Sequence, residues 1–211
     1  MKGFSVCLLA MTIAVTAFAG EDGFVVAHIG DDRSLLKKNV VLPPVVTEKY
    51  EYYEVCGCSE EDLHCDLKKK CITWKDGRKY DSVTNWKVKW DYDYSRTPQT
   101  CTADSFRVNV KVIFRYPKWV KDGSAPPQLV EKWDAYMNKL IMHENRHRDI
   151  VVDAAEELSR AVAELPAARS CAELERGVTA LCRSRMEKLI EAQNKYDEST
   201  NHGHSEGAAF P

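Results

Sequence analysis

Two stretches of this chain alternate apolar and polar residues with strict period two. In WKVKWDYDY, Trp86, Val88, Trp90, Tyr92 and Tyr94 alternate with Lys87, Lys89, Asp91 and Asp93; in FRVNVKVIF, Phe106, Val108, Val110, Val112 and Phe114 alternate with Arg107, Asn109, Lys111 and Ile113. Such spacing predicts strands that bury one face and wet the other. We expect them to be antiparallel neighbours joined through Pro98 and Cys101. Upstream, Phe24 to Ile29 and Tyr50 to Val55 read as strands, the latter ended by Gly57, and Ser59 with Glu60, Glu61 and Asp62 reads as the start of a short helix. After Pro117 the period lengthens. Pro126-Pro127 opens a helical pattern to about Glu164, stopped by Leu165-Pro166; Ser170-Cys-Ala-Glu173 has the form of a capping box and starts a second helix to about Asp197. Strands first and helices after predict an α+β domain, a twisted antiparallel sheet packed against two long helices.

On the first of those helices, one stripe runs Trp133, Met137, Leu140, His143, His147, Val151, Ala154, Leu158. This is the spacing of a core-facing surface, and two histidines sit in the middle of it. Burying an imidazole without partners costs about 1–3 kcal/mol. Either nearby carbonyls and carboxylates such as Asp149 or Asp153 satisfy both rings, or a single metal ion does.

The start of the chain changes the setting. Lys2, an apolar run from Phe4 to Ala17 and the small-x-small Ala17-Phe18-Ala19 read as a secretory signal peptide over residues 1–19, removed on export, with no stable membrane insertion afterwards. Residues 20–48 read as an extended N-terminal segment and 49–211 as one domain carrying the chemistry. The net charge of −2 supplies no field for nucleic acid or anionic lipid. Of eight cysteines, Cys7 lies in the leader, and Cys56, Cys58, Cys65, Cys71, Cys101, Cys171 and Cys182 remain. In an exported protein they read as disulfide partners before they read as a zinc cluster, for which the Cys-x-x-Cys spacing is missing. Cys171 and Cys182 on one continuous helix stand about 16 Å apart, too far to pair with each other.

The two stripe histidines belong to His143-Glu144-Asn145-Arg146-His147, an HExxH arrangement. Residues four apart on a helix are nearly in register, so both imidazoles reach one metal ion, and Glu144 is offset to stand beside it as a proton acceptor. A third ligand is needed. Asp153 and Glu157 lie too far along an unbroken helix. Glu187 or Glu191 on the second helix is one source; the tail His202-Gly203-His204 is another, with a glycine that permits a sharp turn. Imidazole is the common partner in water-activating zinc sites, which puts His202 first, His204 second and a glutamate third. His28 and His64 lack such context and read as ordinary histidines.

With these elements in view, the chain resembles a bacterial family described as predicted secreted zinc-dependent proteases and catalogued as a domain of unknown function. The resemblance rests on YYEVCG, WKVKWDYDY, TCTADSFRVNVKVIFRYPKW, WDAYMNKLIMHENRHRDI, AELPAARSCAELE and YDESTNHGHSEGAAFP, nearly the whole chain from Tyr50. It implies Zn2+ held by His143 and His147, Glu144 as catalytic acid and base, and, through Thr200-x-His202-Gly203, His202 as the third ligand. It also implies that Cys101 pairs with Cys171. The additional cysteines depart from the family pattern.

The expected function is an exported, periplasmic or secreted zinc metallopeptidase acting on a peptide or protein substrate. Arg146, Arg148 and Tyr196 are candidates for the oxyanion partner. Two other readings share the motif: a zinc hydrolase of cell-wall or other amide and ester bonds, and a non-catalytic module whose zinc is closed by both His202 and His204.

Overall fold

The computed structural model describes residues 40–74, 77–121, 123 and 125–211. The predicted signal peptide, the Phe24–Ile29 strand and His28 lie outside them. The strands are β1 Val40–Val41, β2 Val45–Cys56, β3 Ile72–Thr73, β4 Lys79–Tyr80, β5 Val83–Arg96 and β6 Cys101–Val120; the helices are α1 Glu60–Lys70, α2 Pro127–Ala163 and α3 Cys171–Thr200. The α+β class and the two long helices agree with the sequence reading.

The sheet is mixed rather than antiparallel throughout. β6 is its spine, with β1, β2 and β5 all pairing to it. β5 against β6 is antiparallel, as expected. Ser95 bonds Asp104, Asp93 bonds Ser105 and Asp91 bonds Arg107, so partners descend one strand as they ascend the other. β1, however, pairs in parallel, Val40 with Ser105 and Val41 with Phe106. The segment read as an extended connection thus forms β1 and the first residues of β2, interrupted by Pro43-Pro44, which have no N–H to offer a ladder.

Alternation decides burial where it was strongest. On β6 the side chains of Phe106, Val108, Val110, Val112, Phe114 and Tyr116 are all buried, and on β5 so are Val88, Trp90 and Tyr92. On α2 the buried stripe runs Trp133, Tyr136, Leu140, His143, His147, Val151, Ala155, Leu158 and Val162. It differs from the predicted stripe at two places, where Tyr136 and Ala155 replace Met137 and Ala154 as the inward residues.

The chain divides into two compact units. The first comprises, of the described residues, 40–45, 88–109 and 155–186. In it the Cys101–Cys171 disulfide joins β6 to α3, beside a short antiparallel bridge in which Cys101 and Ala168 exchange both backbone hydrogen bonds. Ser170 caps α3 by accepting from the N–H of Glu173, whose carboxylate accepts from Arg169. The second comprises, of the described residues, 46–74, 77–87, 110–121, 123, 125–154 and 187–211. Here α1 carries the full capping box of Ser59 with Asp62, and Trp119, Trp133, Tyr136 and Phe210 form an aromatic cluster that seats the C-terminus on α2.

Candidate metal centre

All the candidate chemistry lies in the second unit. His143 and His147 are four residues apart on α2, buried, and their Nε2 atoms are 3.3 Å from each other. From α3, Oδ1 of Asp197 comes to 3.1 Å from His147 Nε2 and 3.4 Å from His143 Nε2. The three atoms form a nearly regular triangle. Ligands 2.0–2.1 Å from a tetrahedral zinc ion are about 3.3–3.4 Å from one another, so this triangle has the size of one face of such a site.

The outward nitrogens make the same point. His143 Nδ1 is 2.9 Å from Glu206 Oε2 and His147 Nδ1 is 2.5 Å from Gln193 Oε1. Gln193 is itself fixed, donating from its amide to the His147 carbonyl at 2.9 Å. Acceptors at both Nδ1 atoms keep protons there and leave both Nε2 lone pairs converging on one point, the arrangement of metal-ligating histidines. Two core histidines satisfied separately would have no reason to converge.

Electrostatics favour a cation at this point. Burial, the largest single influence, would lower both imidazoles, but Asp197 and Glu144, joined by Glu206 at His143 and Gln193 at His147, together outweigh it, and both are raised. Burial alone would raise Asp197; the two imidazoles outweigh it and hold its carboxyl well below the usual carboxylate range.

The turn after α3 builds the rest. Thr200 accepts the Gly203 N–H at 3.2 Å and donates to the Tyr196 carbonyl at 2.9 Å. Asn201, His202 and Gly203 have φ of 49°, 52° and 81°, three consecutive left-handed residues that reverse the chain. At Gly203 a Cβ would stand 3.1 Å from His143 Cγ and 2.9 Å from the Ala208 Cβ, so the backbone approaches the imidazole as only glycine permits. The Thr-x-His-Gly pattern is therefore a turn that carries Glu206 to His143.

The sequence-predicted residues fall out as follows. His143 and His147 converge. His202 is outside the triangle: its Nδ1 is 3.6 Å from Asp197 Oδ1, its Nε2 is 3.3 Å from Arg78, and its ring lies on Tyr80. Among the described residues the group of three potential ligands is His143, His147 and Asp197. His204 is exposed in the 3-10 turn His204–Glu206. Glu144 is buried, its Oε1 accepting from Ser82 and its Oε2 from Thr84 at 2.6 Å. Of the oxyanion candidates, Arg148 is tied to Glu48, Tyr196 stacks on His143 and donates to Glu206, and Arg146 is exposed.

Asp197 was missed, although a signal for it existed. The buried stripe of α3 runs Leu174, Val178, Cys182, Met186 and Leu189 and then turns polar at Gln193, Asp197 and Thr200 without losing its 3–4 spacing. A core stripe that becomes polar in register marks a site on this helix as it does on α2. No local pattern pointed to Ser82, Thr84 or Glu206.

Comparisons with curated proteins and with solved structures found no match. A family profile described as "Bacterial protein of unknown function (DUF922)" matches residues 50–203, which include every residue of the triangle and the Thr-x-His-Gly turn, and the chain belongs to this family.

Proposed function

We propose that this protein is an exported zinc-dependent metallopeptidase. The observation that carries the reading is the triangle of His143 Nε2, His147 Nε2 and Asp197 Oδ1, with edges of tetrahedral-zinc length and both Nδ1 protons committed elsewhere. Two imidazoles and a carboxylate are the donor set of open, catalytic zinc sites. His202 stands behind Asp197 as a further imidazole within reach of the same carboxylate. A zinc ion held there would supply Lewis acidity, acidifying water and polarising an amide carbonyl.

The remaining chemistry falls to the chain itself. Glu144 takes the proton of the attacking water and returns it to the leaving amine nitrogen. Among the described residues β2 ends the strand order of its sheet and carries exposed Tyr50 and Tyr52, which suits an extended peptide adding a strand through backbone hydrogen bonds. No helix among the described residues is long and apolar enough to cross a membrane.

Metal content of the purified mature protein, followed by hydrolysis of casein with wild type and E144Q, tests the reading. About one zinc per chain and a cleavage lost in E144Q support it. Zinc with no peptidase activity, but release of peptides from cell-wall material, moves the assignment to the second class of hydrolase. Zinc without any activity leaves a structural module, and no zinc after reconstitution overturns the reading at its base.

A further inference from the structure

We propose that Ser82 and Thr84 are positioning residues for Glu144. This deepens the hydrolase reading and rests on it. Glu144 is only 4 % exposed, yet both carboxylate oxygens are occupied: Ser82 donates to Oε1, and Thr84 donates to Oε2 at 2.6 Å. The Thr84 hydroxyl also lies 3.2 Å from the Glu144 backbone carbonyl, so it registers strand against helix as well as oxygen against oxygen.

Both hydroxyls sit on a rigid support. Ser82 is buried, and Asp81 before it is gripped from two elements, its carboxylate by Tyr136 of α2 at 2.8 Å and its carbonyl by Tyr53 of β2 at 2.8 Å. Tyr136 is two helical turns ahead of Glu144 on the same helix, so the start of β5 is pinned to α2 at two levels. A glutamate side chain has three rotatable bonds, and a proton acceptor displaced by about 1 Å loses on the order of 100-fold in rate. Held by one hydroxyl at each oxygen, the carboxylate has one position. A bare need to satisfy a buried carboxylate would be met by any two donors; here they come from Ser82 immediately before β5 and Thr84 within it, spaced by two, which fixes direction as well as charge.

The test compares donor-losing variants (S82A, T84V and the double variant) with the donor-keeping T84S. Each is loaded with zinc and checked for one ion per chain and a cooperative thermal transition. We expect kcat to fall about 10- to 100-fold in the double variant with KM within about two-fold, and T84S to recover at least half of turnover. A second readout does not need a substrate. With Co2+ in place of zinc, acetohydroxamate is titrated while the visible absorption of the ion is followed; this acid gives up a proton on chelation, and its affinity falls about tenfold where the acceptor carboxylate is no longer held. A double variant that is folded, loaded and equal to wild type in kcat and in acetohydroxamate affinity overturns the proposal. A wild type that binds zinc but cleaves nothing overturns the hydrolase reading instead, while the acetohydroxamate comparison still decides on the two hydroxyls. Should the double variant fail to fold, S82A and T84V against T84S carry the same comparison singly.

Discussion

Asp197 on α3 places Oδ1 3.1 Å from Nε2 of His147 on α2, a residue fifty positions earlier in the chain. That contact, rather than anything in the HENRH segment, turns a two-histidine motif into a three-donor site. It gives an order of ligand strength. D197A is expected to weaken zinc binding by at least about 100-fold, and H202A by about tenfold, as for a residue acting through a ligand. Competition against a chromophoric chelator measures both. A larger loss in H202A than in D197A would make His202 the third ligand.

Glu206 holds the Nδ1 of His143 at 2.9 Å and is itself held by Tyr196. E206Q keeps an acceptor oxygen but removes the charge, and E206A removes both. We expect E206A to cost about 10- to 100-fold in zinc affinity and E206Q less. G203A acts on the same imidazole from the backbone side. A left-handed alanine costs about 1–2 kcal/mol, to which the contacts with His143 and Ala208 add, and a drop in unfolding midpoint together with weakened zinc binding is the expected result.

If zinc binds as proposed, the pH dependence of stability is expected to reverse between the metal-free and zinc-loaded forms. In the metal-free protein His143 and His147 are raised above their ordinary value near 6.5, because Asp197 and the other acceptors around them together outweigh the lowering effect of burial. Their contribution to stability is complete below about 6.5 and is lost as pH rises through the raised values. Asp197, held low, contributes above the ordinary carboxylate value near 3.8 and loses that contribution only under strong acid. Zinc needs both imidazoles deprotonated, so its stabilisation grows over the interval in which theirs fades. The gap between the two unfolding temperatures, measured by calorimetry from about pH 5 to about pH 8, should widen with pH.

Tyr116 is buried at 2 % exposure with no hydrogen-bond partner for its hydroxyl among the described residues. Its ring stacks on Phe114, so the aromatic body is well used and the oxygen is a cost. Y116F should therefore raise stability by about 1 kcal/mol or leave it unchanged. A clear loss in a denaturant titration would show that the hydroxyl has a partner after all.

The disulfide closes a loop with a sequence separation of 70, which in the chain-entropy picture is worth about 4 kcal/mol. C101S with C171S should lower stability by about 2–5 kcal/mol without removing zinc, since both cysteines lie in the unit that does not carry the triangle. Cys182, whose thiol burial pushes up to about 12, should resist alkylation in the folded protein and react only on unfolding.

The sequence by itself determined every element whose burial follows from periodicity. β5 and β6 were legible because period two puts Val88, Trp90 and Tyr92, or Val108, Val110 and Val112, on one face whatever the partner strand is. α2 and its two histidines were legible for the same reason: residues 143 and 147 share a face in any α-helix. What tertiary structure alone decided is whatever depends on two distant segments meeting. The parallel pairing of β1 to β6, the approach of Asp197 to both histidines, the Glu206 carboxylate behind His143 and the two hydroxyls on Glu144 are all of this kind. No local spacing encodes them, because each is a contact made by packing. The one trace left in the chain is the stripe on α3 that turns polar at Gln193 in register with its core: a buried polar face needs partners, but the sequence does not say which.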